Sequence, residues 1–226
     1  MEFYIKLTLA LLLLLYASLL DWRYREINEA SWLGLLLLGA VFALAEYTSS
    51  GSPSPILHLL ISTGITAALI VPVAYLGLMG GGDAKILLGI AAVFPAPPAD
   101  VVTLFPLFSL SVFANAIVLS LALPLFFFIK NLRHIKDVRS FSQLYALFLG
   151  YKKHSSEIKP YEAVYGDGRK FSFILRTDAE LGKAEKEGEV WVTPAVPFVI
   201  PITLGVLMSA LYGDLLSAVL LFLRGS

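Results

Sequence analysis

The chain has 226 residues, with seventeen Lys/Arg against seventeen Asp/Glu and no cysteine. It is 58% hydrophobic and 15% charged, with a mean hydropathy of +0.79, which excludes an ordinary soluble domain and indicates a polytopic membrane protein. The missing cysteines exclude disulfides, thiolate metal centres and cysteine nucleophiles.

In chain order, apolar runs long enough for a helix to enter roughly 30 Å of hydrocarbon fall at Phe3–Leu20, Ala30–Tyr47, Ile56–Leu78, Ala84–Phe94, Val101–Ile129 and Pro197–Leu223. The first reads as a retained helix and not a cleaved signal peptide: its basic residues follow the apolar run, and no small-x-small site precedes Asp21. The fourth is short, about 16 Å of helix, and is closed by Pro95, Pro97 and Pro98. It predicts either a half-span or a Gly80–Asp83 segment sunk below the headgroups. The fifth is too long for one upright crossing, so it tilts or kinks at Pro106 or Pro124. Asp214 and Glu46 read as helix-break or interfacial residues.

Of the seventeen basic residues, all but Lys6 and Arg224 fall in the segments 21–29, 79–85 and 130–192. The positive-inside rule makes these cytoplasmic and puts both termini outside. The 130–192 insert begins basic, through Lys130, Arg133, Lys136, Arg139, Lys152 and Lys153, which suits anionic membrane lipids. It then turns acidic, with Asp178, Glu180, Glu185, Glu187 and Glu189, a tract that reads as solvated surface or as an attractor for a basic peptide. Phe141–Leu149 predicts an amphipathic helix, and Tyr161–Tyr165 and Lys170–Leu175 around Gly166-Asp167-Gly168-Arg169 predict a β-hairpin, with a further strand at Glu189–Thr193. The expected organisation is a membrane body over 1–129, the soluble insert 130–192 and a last transmembrane helix in 193–226. The fold class is an all-α polytopic membrane protein of about six transmembrane helices, one of them short, with a small α+β cytoplasmic insert.

Two acids stand at the ends of apolar spans on one side of the membrane. Asp83 follows the run Gly80-Gly81-Gly82, and Asp21 ends the first span in Leu20-Asp21-Trp22-Arg23. Gly80–Asp83 reads as a tight turn with positive-φ glycines and an aspartate cap, or as a close-approach motif beside a functional carboxylate; the two are compatible. Asp21 reads as an interfacial anchor or as a functional acid, although a helix macrodipole opposes an acid at a C-terminus. A carboxylate beside the bilayer is a functional hypothesis by default. Two that share a proton fit acid–base hydrolysis of an amide. Competing chemistries lack their patterns. His58, His134 and His154 form no H-E-x-x-H zinc motif, no G-x-S-x-G elbow occurs, and Gly-Gly-Gly-Asp-Ala-Lys does not fit a phosphate loop.

Gly80-Gly81-Gly82-Asp83 resembles the G-x-G-D motif of the membrane aspartyl proteases. Its place before a short helix, with Asp21 closing the first helix, resembles the archaeal preflagellin and prepilin peptidases. Asp21-Trp22-Arg23-Tyr24-Arg25-Glu26-Ile27-Asn28 is similar to that family's run of Asp, basic residues and aliphatic-Pro, with Asn28 in the proline position. Trp191–Ile200 with Pro201 is similar to the proline-rich entry to its last helix. The resemblance covers most of the membrane part. It implies cleavage of class III signal peptides from prearchaellins or prepilins at the cytoplasmic face, with Asp21 and Asp83 catalytic. Gly80, Gly82 and Lys85 are then motif or substrate-binding positions, and Lys85 reads equally as a headgroup anchor. Without cysteine, and with little chain before Asp21, no methyltransferase activity is expected, nor any metal, cofactor or nucleic-acid partner. The signal-peptide-peptidase and presenilin-like proteases share G-x-G-D but place the pair in later helices of longer chains. From a different class, a small proton- or cation-coupled transporter is the alternative for the same two acids.

Overall fold

The computed structural model describes residues 2–137, 141–154, 157, 162–164, 189–194 and 196–225. It divides into two compact units, one formed by Met1–Leu119 with Pro197–Ser226 and the other by Ser120–Val196. The chain is a multi-pass, mostly helical membrane protein. Among the described residues, four helical segments are long and apolar enough to cross a bilayer, and a fifth qualifies when a bent pair is counted as one span.

In the first unit, α1 (Glu2–Tyr24), α2 (Glu29–Ser50) and α3 (Ser54–Tyr75) are followed by a short helix, α4 (Gly81–Val93). On α1 the buried residues Leu7, Ala10, Leu14, Ala17 and Asp21 recur at alternating steps of three and four, one narrow helical stripe. That stripe carries Asp21 inward; the acid continues the packing seam and does not cap the helix from outside. Helix α4 is well enclosed, with Ala84, Ile86, Leu87 and every residue from Gly89 to Val93 buried. It packs against α2 and α3 and touches α1.

Lipid tails are as apolar as leucine, so helices in a membrane associate mainly by close packing, and small residues allow it. A Cβ on Gly39 of α2 would lie 2.5 Å from the backbone of Ala92, and one on Gly89 of α4 would lie 2.7 Å from Leu35 Cβ. The two helices therefore meet nearly backbone to backbone, glycine on each side. Thr66 of α3 and Ser109 pair through their hydroxyls at 2.7 Å.

Several helix boundaries are sharper than hydropathy alone predicts. The fifth apolar run does not start its helix at Val101: residues 101–107 are non-helical, α5 is Phe108–Ser120, and α6 is Ala122–Asn131 after a break at Leu121. Pro106 lies ahead of α5, while Pro124 sits in the first turn of α6, where its missing N–H disrupts the ladder just before it. The third helix stops at Tyr75, three residues early, in a turn centred on Gly77 at φ +72°. The last span is broken beside Asp214, one of the two residues read as a helix break or an interfacial position. Helix α8 (Val199–Leu211) and helix α9 (Leu215–Leu223) meet at 55° about Gly213, which has φ +84°. Asp214 caps α9 by accepting from Ser217 N–H at 2.7 Å, and it also accepts from Leu104 N–H at 2.6 Å. Asn115 of α5 donates to Gly213 O and accepts from Leu215 N–H. Helix breaks inside apolar segments are tolerated where protein groups satisfy the freed backbone, as here.

In the second unit, α6 packs on α7 (Phe141–Leu149), with Phe128 stacked on Phe148 at 4.4 Å. A 3₁₀ helix, Leu132–Asp137, follows α6. Strands β1 (Tyr151–His154), β2 (Glu162–Val164) and β3 (Glu189–Pro194) form an antiparallel sheet in the order β1-β3-β2, with Val192 opposite both Tyr151 and Val164. The helix at Phe141–Leu149 and the strand at Glu189 lie where the sequence puts them. The expected turn at Gly166–Arg169, its second arm Lys170–Leu175 and the acidic residues Asp178–Glu187 lie outside the described residues.

Gly39→Ala is expected to destabilise the protein by about 1–3 kcal/mol through overpacking, read as a lower unfolding temperature in detergent. Gly64→Ala, where a Cβ meets nothing within 4 Å, is expected to be neutral or slightly stabilising. Equal melting temperatures for the two variants would show that the α2–α4 approach is not tight.

Candidate active site

Asp21 is buried, 7% exposed, near the end of α1. Its Oδ2 accepts from the backbone N–H of Val199 at 3.1 Å. Val199 is the first residue of α8, so the carboxylate meets the positive end of that helix, where unsatisfied N–H groups favour an anion. This answers the macrodipole objection raised by the sequence: the C-terminal end of α1 opposes the charge, and the N-terminus of α8 compensates for it. One turn earlier, Ser18 and Thr203 share a hydrogen bond at 2.8 Å, and Thr203 Oγ1 donates to Val199 O at 2.9 Å. These contacts fix the α1–α8 seam on which Asp21 depends.

Asp83 stands in the first turn of α4. Gly80 is the N-cap, at φ −64° and ψ 138°, and the Asp83 carboxylate reaches back to accept from Gly80 N–H. This is the acidic half of a capping box. A Cβ on Gly80 would lie 2.6 Å from Asp83 Oδ2, so the glycine vacates the space into which the carboxylate folds. None of Gly80, Gly81 and Gly82 has positive φ, which corrects the expectation of a left-handed turn before the helix: Gly81 and Gly82 are helical and α4 begins three residues earlier than expected. Gly82 serves close approach instead. A Cβ there would meet Ile27 Cδ1 at 2.6 Å and Cβ at 3.1 Å, so the α1–α2 connection lies directly on the first turn of α4.

That contact ties the two acids together. The connection carrying Ile27 begins four residues after Asp21 and rests on the helix whose first turn carries Asp83. The Asp21 carboxylate is near enough to act electrostatically on Asp83, and Arg25 acts in the same way on Asp21. Asn28, at φ −67° and ψ 137°, N-caps α2 and accepts from Ala30 N–H at 2.9 Å. Its φ is one a proline ring would impose, so the local path is kept while the side chain adds a cap.

Lys85 points elsewhere. Its Nζ pairs with Glu29 Oε1 at 2.5 Å and lies 5.4 Å from the centroid of Trp32, whose indole N–H also donates to Glu29. The pair is largely exposed and joins the start of α2 to α4. Sequence reasoning missed Val199, Ser18 and Thr203. Ser18 and Thr203 were visible only as hydroxyls in apolar helices, and a backbone N–H leaves no sequence signal. Among the described residues, no group of three His, Cys, Asp or Glu could hold a metal ion.

Residues 8–132 match the model of the type IV leader peptidase family, and residues 142–215 match that of the archaeal peptidase A24 C-terminus, type II. The chain is 28% identical to a preflagellin peptidase of Methanocaldococcus jannaschii over 94% of its own length and 95% of that protein. Preflagellin peptidases of Methanococcus voltae and Methanococcus maripaludis are also 28% identical, covering 94% and 89% of this chain and 97% and 92% of their own.

Gly82→Ala is expected to lower the unfolding temperature, because Ile27 must move, and Ile27→Ala combined with it is expected to recover part of the loss. Additive damage in the double variant would mean that the two residues are not in contact.

Proposed function

Because the chain belongs to the type IV leader peptidase family, and is thus a peptidase embedded in the membrane, we propose that it removes type IV pilin-like signal peptides from preflagellins (prearchaellins) or prepilins, with Asp21 and Asp83 as the catalytic pair. The reading rests above all on the two buried or part-buried carboxylates at the ends of α1 and α4, near enough to interact, each held by one backbone N–H. The similarity to preflagellin peptidases over nearly the whole chain supports the substrate class.

Two neighbouring carboxylates that share one proton supply both a base and an acid. The charged member removes a proton from water as the water oxygen bonds to the scissile carbonyl carbon. The carbonyl π pair moves to oxygen, which takes the proton of the neutral member. The resulting gem-diol collapses as the C–N bond breaks. The nitrogen then receives the proton that came from water, and a diol hydroxyl returns its proton to the second carboxylate. A carboxylic acid and an amine leave, and the pair regains its starting protonation. In this scheme Gly80 and Gly82 shape the floor of the site, and Lys85 with Glu29 fixes α2 beside it.

We further place the site at the cytoplasmic face, with both termini outside, on the distribution of basic residues. Helix α4, about 20 Å long by its rise per residue, then enters the membrane only part-way as a sixth, short segment, which leaves Asp83 near the surface where water is available. Opposite charges on a basic leader and the site's two acids would favour encounter. No observation favours the transporter alternative.

Asp21→Asn and Asp83→Asn, tested separately in detergent with a pilin-type precursor, are each expected to lower processing by roughly 1,000-fold or more, with unchanged helicity. Chelators are expected to have no effect. Wild-type processing by either variant would remove that aspartate from the mechanism.

A further inference from the structure

We propose that the end of α6 and the 3₁₀ helix after it form a binding surface for anionic phospholipid, with Lys130, Arg133 and Lys136 on the headgroup phosphates and Ile129, Leu132 and Ile135 on the acyl chains. This surface belongs to the second unit, and nothing in it depends on the roles of Asp21 and Asp83.

Residues 128–136 change character with a period of three. In a 3₁₀ helix residues three apart eclipse one another, and in the α-helical turn before it they are neighbours on one face. The segment therefore sorts into three rows. The first row, Phe128, Asn131 and His134, points into the second unit. Phe128 stacks on Phe148, Asn131 Nδ2 donates to Leu147 O at 3.0 Å and to Gly150 O at 2.7 Å, and His134 meets the Trp191 ring edge-on at 6.1 Å. These contacts fix the rotation of the segment. They turn outward the second row, Ile129, Leu132 and Ile135, and the third, Lys130, Arg133 and Lys136, and all six residues are exposed.

An apolar row beside a row of three cations suits neither water nor hydrocarbon. It suits the boundary between them, where aliphatic side chains enter the acyl region and long basic side chains reach the headgroups. The sequence puts the segment at such a boundary: Phe108–Lys136 is one of the stretches long and apolar enough to cross a bilayer, and the exposed Leu125 and Phe126 precede the two rows.

Charge complementarity selects the headgroup. Among the described residues, none of Lys130, Arg133 and Lys136 forms an ion pair with a carboxylate. Lys130 Nζ instead lies 5.3 Å from the centroid of the Tyr151 ring. Arg133 Nε–H donates to His134 Nε2 at 3.1 Å, which orients the guanidinium and leaves its terminal NH2 groups for two phosphate oxygens. Lys152 adds a further cation, 5.6 Å from the centroid of Trp191, the ring that His134 touches. Tyrosine and tryptophan among lysines is the composition of a membrane–water interface. A zwitterionic headgroup would bring its own cation to this row, and a soluble anion would leave the apolar row uncovered.

The test titrates the intact protein in neutral detergent with phosphatidylglycerol or phosphatidylcholine of the same acyl chains, and reads the affinity of the first bound lipid by native mass spectrometry. Circular dichroism checks the fold of each variant. Wild type is expected to prefer phosphatidylglycerol, and the preference is expected to shrink as ionic strength rises. The triple variant Lys130→Gln, Arg133→Gln, Lys136→Gln is expected to bind phosphatidylglycerol roughly 30- to 100-fold more weakly and phosphatidylcholine as before. The charge-keeping set Lys130→Arg, Arg133→Lys, Lys136→Arg is expected to stay within about threefold of wild type. Leu132→Gln with Ile135→Gln is expected to cost roughly 10-fold or more. Unchanged phosphatidylglycerol binding in the triple glutamine variant would overturn the proposal. So would an equal loss of phosphatidylcholine, which would make the row a general lipid contact. Glycerol phosphate competing as well as the lipid, with no effect of Leu132→Gln and Ile135→Gln, would make it a soluble-anion site instead. A lower melting temperature of the triple variant in lipid-free detergent, with lipid affinity unchanged, would assign the cations to an acid within the chain.

Discussion

A helix shorter than the hydrocarbon is thick can be held in a membrane only by its neighbours, and α4 shows how. Thirteen residues long and buried along most of its length, it has glycine at both of its tight crossings with α2: its own Gly89 against Leu35, and Gly39 of α2 against Ala92. With no hydrophobic gain to be had from leaving lipid, this contact depends on van der Waals fit, and a single methyl at either glycine would break it. The start of α4 is then fixed wherever α2 and the α1–α2 connection fix it. Gly82 completes the arrangement by admitting Ile27, so that the end of α1 and the first turn of α4 become neighbours.

From that constraint the site follows. A carboxylate in the last turns of α1 faces an unfavourable dipole and little solvent, and both costs are reduced locally. The N-terminus of α8 donates a peptide N–H, and Arg25 contributes a positive charge. A carboxylate in the first turn of α4 has the opposite situation: its own helix favours it, and Gly80 leaves it room to fold back onto the cap. The two acids thus reach one place by different means. One is a residue of the packing seam and the other a residue of a helix cap, so the proposed pair joins two carboxylates that are held in different ways.

Much of this was legible in the sequence, and the exceptions have physical reasons. Leu7, Ala10, Leu14 and Ala17 mark the buried stripe of α1 by spacing alone, and Asp21 falls on its next position, so an inward-facing acid could be read directly. The glycines before Asp83 announced close approach, but whether they bend left-handed or start a helix depends on what packs against them, and Ile27 is invisible as a partner until the chain folds. Hydropathy extended the fifth span back to Val101 because residues 101–107 are apolar. Their backbone is nonetheless irregular, its N–H groups taken up by Asp214 at Leu104 and by Thr103 at Phe105. Thr103 is local, but Asp214 lies 110 positions from Leu104, and no local window contains it. The same holds for Val199, whose contribution to the site is a main-chain group that any residue but proline could supply.

The central claim is that Asp21 and Asp83 act as one unit on one bound carbonyl. Its most direct test is the affinity of the intact protein in detergent for a pilin-type precursor peptide with a non-cleavable hydroxyethylene group at the scissile bond, measured by calorimetry for the wild type, Asp21→Asn, Asp83→Asn and the double variant. The account predicts a similar, large loss of affinity in each single variant and little further loss in the double, the non-additivity expected of residues that share one ligand atom. Losses that simply add, or a loss confined to one aspartate, would contradict it.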